Sequence, residues 1–173
     1  MLDSLPSSES QESNSLNYQW RNSGDSERRR TAASLECLRS SEARLVELEL
    51  CRRDICHWVN TWLYIYDPWA LSAGEDPIQP FDLFPSQVDL LRWLQEREAG
   101  QQNGIVVKSR ESGGTFLCGA DALHSFLFRP MAAIGFGASD LDLLDKSEDP
   151  KAIFWKLRFI LDRLPLWMLP AGW

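Results

Sequence analysis

Between Thr31 and Trp62 the apolar residues Leu35, Leu38, Leu45, Leu48, Cys51, Ile55 and Val59 recur at intervals of three, four or seven. That spacing puts them on one face of a helix, with charged residues interleaved on the exposed face. The stretch "YDPWALSAGEDPIQPFDLFP" then carries four prolines and a glycine. It predicts an extended, loop-rich connection, because proline can neither donate to a ladder nor continue a helix.

Beyond the connection, Ser86 stands at a helix N-cap position, and "QVDLLRWLQEREAG" runs amphipathically to Gly100. The β-branched run "GIVVKS" reads as a buried strand. A mostly apolar helix, "TFLCGADALHSFLFR", stops at Pro130, and "AAIGFGAS" reads as a second strand. "DPKAIFWKLRFILDRLP" closes the pattern as a helix, with Asp149 and Pro150 at its start and Pro165 as its stop.

The order helix, strand, loop, helix, strand, helix predicts an α/β fold with a parallel sheet between flanking helices. Two strands cannot complete such a sheet, so its unpaired edge predicts marginal stability and a tendency to aggregate. Residues 1–30 are rich in Ser, Asn, Gln and Glu and end in "ERRR"; they read as a disordered tail. The expected organisation is a tail over 1–30, a helical segment and Pro-rich linker over 31–80, and the α/β unit over 81–173.

Composition narrows the function classes. A net charge of −7 across 173 residues argues against bulk electrostatic binding of nucleic acid, which needs clustered Lys and Arg. Four cysteines without disulfide-like spacing, and no signal peptide, predict a reduced, cytoplasmic protein. No apolar run reaches the roughly 18 residues of a membrane-spanning helix. The eight tryptophans read mainly as core and interface packing.

The stretch "VVKSRESGGT", residues 106–115, carries the chemistry. A strand that turns through small residues into a helix aims backbone N–H groups and the positive end of the helix dipole at an anion. Gly113 and Gly114 give the turn its freedom, and Thr115 sits where the Mg²⁺ ligand of a phosphate loop sits. The usual loop places lysine after its second glycine; here Lys108 stands at the loop's entrance, with Ser109 and Arg110 following. Either cation supplies the charge that phosphates require.

"KSRESGGT", the upstream "VNTWLYIYDPW" and "FDLFPSQVDLLRWL", and the downstream "FRPMAAIGFGAS" and "LLDKSEDPKAIFWKLRFILDRLPLWMLP" together resemble the N-terminal ATPase region of phage terminase large subunits. The similarity is to the Mu-like prophage group and covers roughly residues 55–173. Members of that family carry a deviant phosphate loop with its lysine at the start or an arginine shortly after. The resemblance implies a partial P-loop NTPase fold, ATP and Mg²⁺ as cofactors, and partners in the portal protein, the terminase small subunit and double-stranded DNA. It implies that Lys108, Ser109 and Arg110 face the phosphates, with Gly113 and Gly114 shaping the loop. Thr115 would bind Mg²⁺, Gln87 would recognise adenine, and Phe84 would lie against the base.

A working ATPase of this kind also needs an Asp-Glu pair after an apolar strand, to hold the metal and orient water. No Asp-Glu pair follows the loop, and the runs ending at Asp145 and Asp162 lie in helical patterns. The chain is therefore expected to be a truncated N-terminal fragment that binds nucleotide and is inactive in hydrolysis alone. The alternatives are a non-catalytic prophage remnant acting as a protein-interaction module, and another helicase-like P-loop ATPase. Cys51, Cys56 and His57, with Cys37, fit no usual zinc spacing and read as buried small residues. His124 reads as a core histidine.

Overall fold

The computed structural model of the chain describes residues 25–108, 113–170 and 172. The helical run expected over 31–62 is three helices: α1 (Asp25–Arg39), α2 (Ser41–Arg53) and α3 (Ile55–Trp62). Two short polar side chains divide them. Ser40 adopts an extended backbone and accepts from the N–H groups of Glu42 and Ala43, which starts α2. Asp54 accepts from Cys56 and His57 at the start of α3, while its own N–H closes α2 on Leu50. Each cap satisfies amide donors that a helix terminus leaves unpaired, so the chain turns there although the apolar spacing continues.

Helix α1 begins inside the segment expected as a tail, and its "ERRR" run is helical. Arg30, only 5% exposed, donates to the carbonyl oxygens of Leu63 (2.8 Å), Thr61 (3.3 Å) and Val59 (3.4 Å). It thereby adds a donor to carbonyls at the C-terminus of α3, where Val59 O also accepts from Leu63 N and Leu63 O from Phe81 N. Its counter-charge is Asp82 at 3.8 Å, a buried carboxylate that also accepts from Ser26 at 2.6 Å. Burial lowers the Arg30 pKa, and Asp82 opposes that shift.

The Pro-rich connection folds back on itself. β1 (Tyr64–Tyr66) pairs antiparallel with β2 (Ile78–Pro80), Tyr64 opposite Pro80 and Tyr66 opposite Ile78. Between them lies α4 (Pro68–Ala73), capped by Asp67 and ended by Gly74 in the left-handed conformation (φ 77°). Proline is tolerated in β2 because a two-stranded ribbon consists only of edges.

Helices α5 (Pro85–Ala99) and α6 (Gly114–Phe128) follow the sequence expectation closely; α8 (Ile153–Leu161), preceded by the four-residue α7 (Leu141–Leu144), starts after the expected Asp149–Pro150, with Ala152 as its N-cap, and ends before Pro165. α6 lies against α8 where Gly119 faces Leu157: a Cβ on the glycine would stand 3.1 Å from Leu157 Cδ2. Trp58, Val59, Leu63, Leu83, Leu91, Leu117 and Ile160 are fully buried and join α3, the ribbon's exit, α5, α6 and α8 into one core. Each such side chain contributes about 1.5–3 kcal/mol through apolar burial.

The expected parallel sheet is not formed. Among the described residues the antiparallel ribbon β1–β2 is the only sheet, and the fold is mainly helical. The segment 104–108 forms neither helix nor strand, and Ile105 and Val107 are 88% and 93% exposed. Residues 132–138 likewise form no ladder. A β-branched run becomes a strand only when a neighbour takes its backbone hydrogen bonds. Among the described residues no strand pairs with either segment, which corrects the P-loop NTPase fold expected from the element order.

Candidate phosphate-binding site

Gly113 forms the N-cap of α6 in the left-handed conformation (φ 73°), a position that disfavours any side chain. Its carbonyl accepts from Leu117 N at 3.0 Å, so the helix is closed from its first turn. Three separate parts of the chain meet at this terminus. A Cβ on Gly113 would stand 3.1 Å from Gln87 Nε2. A Cβ on the buried Gly114 would stand 2.6 Å from Lys108 Cε and 3.6 Å from its Nζ. The lysine stem therefore crosses the helix N-terminus, and the bare face of Gly114 is what admits it.

Gln87 owes its position to α5. It is the third residue of that helix, it is buried, and its Oε1 accepts from the Phe84 backbone N–H at 3.0 Å. This is the reciprocal half of a capping box; Phe84 has no side-chain acceptor for the other half. The helix starts one residue before the expected Ser86 cap, at Pro85, with half-buried Phe84 as its cap.

Thr115 is exposed in the first turn of α6. It shares with Lys108, Gly114 and Cys118 the polar side of a cavity of about 220 Å³, whose apolar side is formed by Leu90, Val106, Phe136 and Ile153. The structure thus groups Gln87, Lys108, Gly113, Gly114 and Thr115, with Phe84 at the start of the helix that carries Gln87. Ser109 and Arg110 lie outside the described residues.

Beside this cavity is a second groove between α5 and residues 103–106. There Trp93 packs on the backbone of Gly104, where a Cβ would stand 2.8 Å from Trp93 Cζ2. Asp121 faces the groove with Oδ1 buried and unpartnered. Burial pushes its carboxyl up to about 6; Glu98 adds to the shift and Arg129, paired with Glu98, opposes it. The Gly104 contact and the Asp121 burial both depend on where the segment 104–108 docks, and local periodicity carries no signal of that.

The N-terminal helices hold a polar cluster of different composition. Glu47 Oε1 accepts from Trp62 Nε1 (2.7 Å), meets His57 Nε2 (2.8 Å) and lies 3.5 Å from Cys51 Sγ. Burial alone pushes the Glu47 carboxyl up, but the His57 and Trp62 hydrogen bonds outweigh it and hold it below the usual range. The contact with Glu47 raises His57 against its own burial. In the sequence, Cys51, Cys56 and His57 with Cys37 read as buried small residues; the member missed there is Glu47, whose four-residue offset from Cys51 puts both on one helix face. His124 is buried among Trp58 and Phe128, and its Nε2 lies 2.8 Å from the Cys51 carbonyl oxygen. Burial lowers its pKa, so the ring is neutral and Nε2–H is the donor.

The architecture is a helical protein carrying one short antiparallel ribbon, with a glycine-started helix crossed by a lysine. No protein-family model, curated protein or solved structure matches the chain. None of its described helices is long and apolar enough to cross a membrane.

Proposed function

We propose that the chain binds nucleotide phosphates at the N-terminus of α6. The observation that carries this reading is the convergence of Lys108 and Gln87 on Gly113 and Gly114. Unpaired amides and the helix dipole attract an anion, the lysine neutralises it, and the glycine pair lets an oxygen approach the backbone. The cavity is below the roughly 300–1,000 Å³ of pockets that enclose a small molecule, so it suits the phosphates while the base lies outside. Gln87 Oε1 is engaged in capping α5, and its Nε2 is the atom that lies nearest Gly113.

The resemblance of residues 55–173 to terminase ATPase regions extends the proposal. The ligand is then ATP with Mg²⁺, Thr115 the metal-side hydroxyl, and the setting a DNA-packaging motor in the host cytoplasm with portal protein, small subunit and double-stranded DNA. This extension rests on the motifs and on the approach of Lys108 and Gln87 to Gly113 and Gly114, and it takes no support from a parallel sheet. Hydrolysis is not part of the proposal: among the described residues no carboxylate lines the cavity to hold a metal or orient water.

A second reading, a protein-interaction module, is favoured by the exposed Ile105 and Val107 on the segment 104–108. Titration with a fluorescent ATP analogue, with and without Mg²⁺, separates the two. Saturable binding that weakens at least about tenfold in the Lys108→Ala, Arg110→Ala double variant supports the nucleotide site. Absence of saturable binding to folded protein, or unchanged affinity in the variant, overturns it.

A further inference from the structure

We propose that Glu47, Cys51 and His57 form a zinc site, separate from α6 and independent of nucleotide binding. Their ligand atoms all lie within 4.8 Å of one another. Glu47 and Cys51 stand one turn apart on α2, and the Asp54 corner brings His57, in the first turn of α3, onto the same point. Carboxylate, thiolate and imidazole are the ligand types that zinc selects.

The distances fit the ion with small side-chain adjustments. Tetrahedral zinc with ordinary bond lengths places its ligand atoms roughly 3.3–3.7 Å apart. Glu47 Oε1 and Cys51 Sγ are already at 3.5 Å, and Oε1 to His57 Nε2, at 2.8 Å, needs to open by about half an ångström.

Without a cation, three groups crowd one carboxylate oxygen: the Trp62 indole, the His57 ring and, at the longest distance, the Cys51 thiol. Zinc relieves this crowding. It takes Sγ and Nε2, the protons they carried leave to solvent, and Trp62 Nε1–H remains on Oε1 to orient the carboxylate.

Access comes from two sides. Glu47 lines an open groove between α1 and α2, and the His57 side chain is 32% exposed. Three protein ligands leave a fourth position for water. The ion would clamp α2 to α3 across the Asp54 corner and so stabilise the fold.

The test uses the full chain, stripped with chelator and titrated with Co²⁺, then Zn²⁺. The expected result is one Co²⁺ per chain, with the visible absorption of tetrahedral cobalt and sulfur-to-cobalt charge transfer, both displaced by Zn²⁺. Cys51→Ser abolishes the charge transfer, His57→Gln weakens binding, Trp62→Phe weakens it about tenfold, and the exposed Cys118→Ser leaves it unchanged. Free Zn²⁺ at about 100 times its Kd raises the melting temperature by about 5–10 °C. If Cys51→Ser does not fold, the half-exposed His57→Gln carries the test. A protein with no tetrahedral cobalt spectrum overturns the proposal, as does a spectrum that persists in both variants.

Discussion

Arg30 and Glu47, on the helices from Asp25 to Trp62, go inside together with Asp82, whereas Ile105 and Val107 stay outside in the segment 104–108. Arg30, Asp82 and Glu47 are all buried, each with at least two hydrogen-bonding partners. Ile105 and Val107 are almost fully exposed. The difference teaches that partners, more than side-chain type, decide what is interior. A guanidinium that meets the carbonyls ending α3 can leave water, and a valine whose backbone finds no neighbouring strand has nothing to fold into.

The largest effect expected from this contrast is at Arg30. Arg30→Ala removes a buried cation beside Asp82 and the guanidinium hydrogen bonds to the carbonyls of Val59, Thr61 and Leu63, and should cost about 3–5 kcal/mol in chemical denaturation. A loss below about 1 kcal/mol would mean that this buried charge is not integral to the helical half.

Asp121 sharpens the comparison, because it is a charge buried without a partner for Oδ1. Its carboxyl titrates at about 6 in the folded chain against an ordinary value of 3.8, so the native state holds its proton more tightly. That preference stabilises below the unfolded value and is lost as pH rises through about 6. Asp121→Asn should therefore add about 1–2 kcal/mol at neutral pH, allowing for partial solvent contact, with the gain vanishing in acid. Melting curves across pH check the sign, and a gain largest in acid would refute it.

The smallest effect is expected at Val107. In a buried strand, Val107→Thr would place an unpaired hydroxyl in the core; on an exposed segment it should change stability by less than about 0.5 kcal/mol. A cost of 2 kcal/mol or more, by the same denaturation assay, would show that the segment pairs in solution, since burying an unpaired hydroxyl costs about that much.

Helices α5, α6 and α8 were legible from their apolar period, although the caps were not: α5 starts at Pro85 rather than after Ser86, and α8 at Ile153 rather than at Asp149–Pro150. The divisions at Ser40 and Asp54 were overlooked because the apolar spacing runs through both, although each residue is a preferred N-cap. The ribbon was hidden by Pro80, which reads as a strand breaker until one knows that the sheet has no interior strand. The strands expected at 104–109 and 132–139 failed for a different reason: β-branched residues report a preference, and pairing is a long-range event. At the candidate site the glycines, Lys108 and Thr115 are neighbours in sequence. The approach of Gln87 from α5 was suggested only by the family resemblance, and the Trp93 contact with Gly104 had no local signal.

The central claim, that Lys108 and the first amides of α6 share one anionic ligand, can be tested most directly with Gly114→Ala. Alanine there suits the first turn of a helix, but its Cβ must displace the flexible Lys108 stem. Amide resonances of isotope-labelled wild-type and variant protein are followed during titration with MgATP. The expected result is saturable shifts concentrated at Gly113 to Phe116 in the wild type, with affinity at least about tenfold lower in the variant and an almost unchanged melting temperature. Shifts confined to other regions, or equal affinity in the two proteins, would contradict the account.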